Sequence, residues 1–192
     1  PGSAGMEACF ANLVEPGDKI IVCINGIFGL RMKENVTRLG GEAVVVEDDW
    51  GTAVSPDKVE QACVDNPDAK IVAFVHAETS TGALSDAKTL CQIANQNGCI
   101  NIVDAVTSLA GSELRVDDWG IDAIFSGSQK CLSAMPGLSP VSFSDRAIDK
   151  LTNRKTPVTS WFLDLNLVMG YWGKGSKRSE ERRVGKECRS RW

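Results

Sequence analysis

Short apolar runs alternate with helix-like segments along most of this chain, and that alternation constrains the fold more than any other feature. Six runs rich in Val and Ile, bounded by turn residues, predict β-strands at 19–24, 42–47, 69–75, 99–104, 121–126 and 138–144. Helical patterns occupy the intervening segments 5–14, 28–39, 55–66, 85–98 and 144–154. The pattern predicts an α/β fold with three layers, in which helices cover both faces of a mostly parallel sheet.

For two of these helices, residues typical of helix ends are present in addition to the helical pattern. Ser55 followed by Pro56 is typical of a capped helix start, and Ser85 and Gly98 are predicted to bound a later helix. In sheets of this kind, ligands bind at the carboxyl ends of the strands. Candidate site residues are therefore expected directly after the strands.

The composition favours a globular protein without nucleic-acid or membrane partners. Of the 192 residues, 43% are hydrophobic, which is enough for a packed core, and the formal net charge is -4. No apolar run is long enough to span a bilayer, and no signal peptide is visible. The seven cysteines include no Cys-x-x-Cys pair, which predicts a reducing compartment such as the cytoplasm and no metal site.

The two ends of the chain differ from the body. Residues 174–192 contain eight Lys or Arg and three Glu, without an apolar period or cap signals. We predict a partial large domain over 1–175 and a disordered tail over 176–192, whose sequence resembles translated cloning DNA; a nucleic-acid-binding tail is the less favoured alternative. Because the chain does not begin with Met, we expect the native N-terminus to be missing.

Polar residues cluster where three of the predicted strands end. The third strand is followed by His76, Glu78, Thr79, Ser80 and Thr81, the fourth ends in Asp104, and the fifth leads into Ser126, Ser128, Gln129 and Lys130. Taken singly, each is a weak signal, because a strand-terminal Asp often caps a loop, a lone His is often a satisfied buried group, and a lysine in a loop is usually solvated.

Taken together, the strand-end residues match the needs of pyridoxal 5′-phosphate. Lys130 offers an amine for a Schiff base with the aldehyde, and Asp104 offers a carboxylate for the pyridine nitrogen. Either Thr79 or Ser80 could donate to the phenolic oxygen, and the residues alone do not choose between them. Elsewhere in the chain, Phe28 offers a flat ring for stacking. The Gly/Ser stretch before the first predicted helix offers phosphate donors.

Five motifs occur in the order and approximate spacing of the class V, fold type I aminotransferases that use pyridoxal phosphate. They are GSAGMEA (2–8), NGIFG (25–29), HAETSTG (76–82), DAVTSLAG (104–111) and SGSQKCL (126–132). The chain most resembles the alanine–glyoxylate and serine–glyoxylate aminotransferase group, over roughly residues 1–175. The resemblance implies the large domain of a fold type I enzyme, truncated at both ends.

The resemblance implies a role for each matched residue. Lys130 would form the Schiff base and shuttle the substrate proton, and Asp104 would pair with the ring nitrogen. Thr79, rather than Ser80, would contact the phenolic oxygen. The remaining contacts would come from Val106 and Phe28 on the two ring faces, and from Gly2, Ser3 and Gln129 at the phosphate.

The resemblance also implies a reaction and an assembly. A small amino acid such as alanine or serine would give its amino group to glyoxylate, a 2-oxo acid, in a homodimer. Another donor such as ureidoglycine, a lyase reaction, or an inactive α/β fragment are the alternatives. Gln129 and Phe28 stand where cysteine desulfurases typically have histidines, which argues against desulfuration. A nucleotide-binding domain is disfavoured because neither G-x-G-x-x-G nor a Walker lysine is present.

Overall fold

Residues 1–172 are described by a computed structural model, with the side chains of residues 171 and 172 excepted. A six-stranded sheet has the order β2-β1-β3-β6-β7-β8. Its strands are β1 (Lys19–Ile24), β2 (Glu42–Glu47), β3 (Ile71–Val75), β6 (Ile100–Asp104), β7 (Ala123–Phe125) and β8 (Val141–Phe143). Strands β2, β1, β3, β6 and β7 run parallel to one another, and β8 pairs antiparallel with β7. The predicted mostly parallel sheet is thus confirmed.

Six helices complete the described chain. They are α1 (Gly2–Leu13), α2 (Ile27–Arg38), α3 (Pro56–Asp65), α4 (Ala87–Gln96), α5 (Asp145–Thr152) and α6 (Leu165–Trp172). Buried side chains of α1, α2 and α5 form one apolar cluster with one face of the sheet, while α3 and α4 form a second cluster with the other face. The predicted three-layer arrangement is therefore confirmed.

Two helix starts differ from prediction. Helix α1 begins at Gly2 and not at residue 5, and its first turn packs so closely that a Cβ built on Gly2 would lie 2.9 Å from Val106 Cγ2. Helix α4 is capped by Asp86, whose side chain accepts the Thr89 N–H at 3.1 Å. The prediction that Ser85 begins this helix as its cap is wrong, because the Ser85 hydroxyl instead accepts the Val54 N–H at 3.1 Å, from a distant loop.

Other predicted ends are confirmed by local geometry. Ser55 caps α3 with Pro56 at its first position, as predicted. The helical segment predicted over 144–154 begins at Ser144, which caps α5. Gly98 follows α4 with a φ of +72°, a left-handed conformation that suits glycine.

The sequence patterns did not predict two small features. A hairpin joins β4 (Ala77–Glu78) to β5 (Ala83–Leu84), directly after β3. Helix α6 is attached to α1 through buried Asn12, whose amide donates to the Leu163 carbonyl at 2.7 Å and accepts the Leu165 N–H at 3.0 Å. The predicted tail over 176–192 lies outside the described residues.

Within the described part of the chain, no helix has the length and hydrophobicity needed to cross a membrane. Across the same residues, no group of three or more His, Cys, Asp or Glu side chains is arranged to hold a metal ion. The six cysteines in this part of the chain are free, and all but Cys131 are buried.

Candidate active site

A cleft of about 170 Å³ opens at the carboxyl end of the parallel sheet. The residues that line it come from five separate parts of the chain: Pro1, Gly2, Ser3, Met6, Phe28, Arg31, Asp104, Val106, Phe125, Gln129 and Lys130. Seven of the eight residues proposed from sequence are among them. The eighth, Thr79, is not.

Asp104 is the buried acid of the cleft. It ends β6 with only 2% of its surface exposed, and its Oδ1 accepts the Val106 N–H at 2.8 Å. Burial raises the pKa of Asp104 to about 7; the Val106 N–H opposes the rise and the nearby Glu78 carboxylate adds to it. The site therefore contains a carboxylate whose charge a cation would stabilise.

Lys130 is exposed on a loop that two buried serines hold in place. The Ser126 hydroxyl donates to the Ala105 carbonyl at 2.9 Å and so ties the end of β7 to the segment after β6. The Ser128 hydroxyl donates to the Met135 carbonyl at 2.6 Å and accepts the Leu138 N–H at 3.3 Å. These bonds fix both sides of the loop that presents Lys130 and Gln129 to the cleft.

The first turn of α1 forms another wall. The backbone N–H groups of Gly2 and Ser3 lie at the helix N-terminus, where the helix dipole is positive and such groups lack partners inside the helix. Gly2 is buried next to Val106, and a Cβ there would collide with the Val106 side chain. Gly2 thus lets the helix start approach the segment that carries Val106.

The structure places the hydroxyls of Thr79 and Ser80 differently. Ser80 Oγ accepts the Ile27 N–H at 3.0 Å and donates to Glu78 Oε1 at 2.7 Å, so its proton is engaged at the start of α2. Thr79 Oγ1 is exposed and lies 3.0 Å from Thr107 Oγ1. Because Thr107 Oγ1 donates to the Ala77 carbonyl at 2.7 Å, Thr79 is the donor in the pair.

His76 lies outside the cleft. It is 3% exposed and packs edge-on against Trp119, with ring centroids 6.1 Å apart. Burial lowers its pKa, while Asp86 acts in the opposite direction. Its Nδ1 has no hydrogen-bond partner among residues 1–172. The only histidine of the sequence is thus a core residue.

Two residues of the site carried no role in the sequence analysis. Arg31 lines the cleft with its guanidinium carbon 4.7 Å from the centroid of the Phe28 ring, and its position one helical turn after Phe28 was the available signal. Glu78 is buried and accepts the Phe28 N–H. The only signal in the sequence for a role of Glu78 was its position directly before Thr79.

Comparison with known proteins identifies the family. The family model for class V aminotransferases matches residues 2–159. This chain belongs to the class V aminotransferase family. It is 34% identical over 89% of its length to the (S)-ureidoglycine–glyoxylate transaminase of Bacillus subtilis, and 36% identical over 92% to the alanine–glyoxylate aminotransferase of Oryctolagus cuniculus.

A solved structure supports the same family and the fold. The alanine–glyoxylate aminotransferase from Nostoc sp. superimposes with a TM-score of 0.88 and 40% identity over 91% of this chain. The chain spans about 45% of the length of the two curated relatives and 46% of that solved chain. The resemblance stated from the motifs and the fold expected from it are therefore confirmed.

Proposed function

We propose that the protein to which this chain belongs is a pyridoxal-phosphate-dependent transaminase that transfers an amino group from a small amino acid to glyoxylate. The observation that carries the proposal is the meeting of Lys130, Asp104 and the N-terminus of α1 at one cleft. Two relatives named as glyoxylate transaminases, 34% and 36% identical, support the acceptor.

The residues of the cleft fit the cofactor. When bound, pyridoxal phosphate supplies an aldehyde that condenses with an amine and a ring that accepts electrons from the substrate Cα. Asp104 holds a carboxylate in a buried site, where a protonated ring nitrogen would offset the cost of its charge. Gly2 and Ser3 would offer backbone donors to the phosphate at the start of α1, and Gln129 would add a side-chain amide.

Lys130 would attach the cofactor and then move a proton. Its Nζ would then be the base that holds the proton removed from the donor Cα. Its position on a loop fixed by Ser126 and Ser128 supports this role. Phe28 and Val106 would provide the apolar surfaces against which a flat ring stacks. Thr79, which lies outside the lining of the cleft and donates to Thr107 in the cofactor-free protein, would reach the phenolic oxygen by turning its hydroxyl away from Thr107.

The relatives differ in the amino donor for which they are named. One relative is named for ureidoglycine and the other for alanine, with nearly equal identity to this chain. We propose a small donor in either case, with a 2-oxo acid as the product of the first half-reaction. Exposed apolar side chains, among them Met135 at 85% and Trp161 at 81%, support a homodimer. The free cysteines support a reducing compartment.

Turnover by the full-length protein tests the proposal. With added pyridoxal phosphate, we expect glyoxylate to be converted to glycine with alanine, serine or ureidoglycine as the amino donor, and the preferred donor to give the highest kcat/KM. Lys130→Ala should reduce the rate at least 10³-fold, the order of magnitude for loss of covalent and acid–base catalysis. Asp104→Asn should keep the attachment but slow turnover.

The control is Lys33→Ala, which removes an exposed lysine on α2 away from the cleft. This variant should turn over at the wild-type rate. Glycine formation that persists in Lys130→Ala would contradict the assignment of the amine.

A further inference from the structure

Glu78 is a buried carboxylate with an unusual set of partners. It is 1% exposed, and no Lys or Arg within residues 1–172 forms an ion pair with it. Its Oε2 accepts the Phe28 N–H at 3.1 Å. Its Oε1 accepts the Ser80 N–H at 3.1 Å and the Ser80 hydroxyl at 2.7 Å. These three bonds give both oxygens of the buried carboxylate a donor.

These bonds complete the start of helix α2. The residue at its N-cap position is Gly26, which has no side chain to accept the free N–H groups of the first turn. Ser80 Oγ accepts the N–H of Ile27, and Glu78 accepts that of Phe28. The cap of α2 therefore comes from the hairpin segment about 50 residues later, and its negative charge suits the helix dipole.

This arrangement requires glycine at position 26 because a side chain there would collide with its neighbours, and not because of the backbone conformation. Its φ of 171° is extended backbone that any residue adopts. A Cβ at this position would lie 2.4 Å from Glu78 Cγ and 2.5 Å from Glu78 Cδ. Any side chain at residue 26 would thus displace the Glu78 carboxylate from the helix start.

We propose that Glu78 is a positioning residue of the cofactor cleft, which fixes the start of α2 and with it the Phe28 ring on the cleft wall. The inference rests on the proposed function for its consequence, but the positioning itself belongs to the cofactor-free protein. Phe28 lines the cleft with Asp104 and Lys130, and its backbone donor is bonded directly to Glu78. The negative charge of Glu78 also contributes to the raised pKa of Asp104, and it favours a cationic cofactor ring beside Asp104.

Amide hydrogen exchange in the cofactor-free protein tests the positioning. Glu78→Gln retains one acceptor oxygen where three donors converge, so the Phe28 and Ser80 amides should exchange at least about tenfold faster than in wild type. Gly26→Ala should speed the same amides because it displaces Glu78. Glu60→Gln, on the exposed surface of α3, is the matched control and should leave them unchanged. Wild-type exchange at Phe28 in Glu78→Gln would overturn the proposal.

A cofactor readout separates positioning from simple stability. We expect Glu78→Gln to keep the borohydride-trapped label on Lys130, to weaken pyridoxal phosphate binding about tenfold, and to change the visible circular dichroism of the bound cofactor. In a Glu78→Ala background, Gly26→Ala should cause a smaller further loss than it does in wild type, because the nearest colliding side chain is gone while Ser80 Oγ, 2.7 Å from the added Cβ, is still present. A lowered unfolding midpoint with wild-type affinity and dichroism would reduce Glu78 to a structural residue and overturn the proposal.

The two proposals fail in different ways. If wild-type protein shows no label at Lys130, the proposed function fails, and the exchange of the Phe28 amide still decides the role of Glu78. If Lys130 is labelled but Glu78→Gln behaves as wild type in all three measurements, only the positioning role fails.

Discussion

At the scale of single residues, Asp104 links the cleft to the stability of the whole fold. Burial raises its pKa to about 7 in the folded state, against an ordinary value near 3.9. Between those values the folded protein holds a proton that the unfolded chain has lost. Stability should therefore fall as the pH rises from about 4 to about 7 and then stay level, with a cost on the order of 4 kcal/mol at the plateau.

Urea unfolding of the cofactor-free protein at pH values from 5 to 8 tests this expectation. Wild type should lose stability over this range, although other groups also contribute to the profile. The free energy of unfolding of Asp104→Asn, whose side chain cannot ionise, should depend less on pH. Above about pH 7 it should exceed that of wild type by a few kcal/mol. Parallel profiles for the two proteins would show that Asp104 is not the group whose proton is held.

At the scale of elements, helix α2 sits against β1 at Gly29. A Cβ on this residue would lie 2.7 Å from the Cys23 carbonyl oxygen and 2.9 Å from Ile24 Cα. Both contacts are with backbone, which cannot rotate away as a side chain does. The distance between α2 and the sheet, and with it the depth of the Phe28 wall, therefore depends on this glycine.

Two glycine substitutions in helices separate this contact from helix propensity. Gly29→Ala should lower the free energy of unfolding by about 1–3 kcal/mol, because the collision outweighs the better propensity of alanine. Gly170→Ala on α6, where nothing lies within 4 Å of the added Cβ, should be neutral or stabilising by up to about 1 kcal/mol. Urea denaturation of both variants at one pH makes the comparison. Equal stability of the two variants would contradict the close approach.

Most elements were predictable because their signals are local. The runs 19–24 and 42–47 coincide with β1 and β2, since Gly, Pro and Asp mark their ends. The hairpin of β4 and β5 was not predictable, because strands of two residues carry no period. Ser85 failed as a cap because its hydroxyl bonds to Val54, a contact between residues 31 positions apart.

At the scale of the whole molecule, the parallel topology explains how the site assembles. Asp104 ends β6, and Lys130 follows β7, which pairs with β6 in parallel. Their convergence follows from strand order, so the sequence could predict it. The contact between Glu78 and Phe28 joins residues 50 positions apart by a side chain, and no period in the sequence encodes it. The contact of Ser80 with the start of α2 likewise joins residues 53 positions apart, and no local pattern marks it.

A labelling experiment decides whether Lys130 is the amine of the cofactor site. The purified chain would be mixed with pyridoxal phosphate, reduced with borohydride, and digested for peptide mapping. We expect a single major label on Lys130, lost in Lys130→Ala and retained in Lys33→Ala. A label on another lysine, or an even scatter over surface lysines, would contradict it.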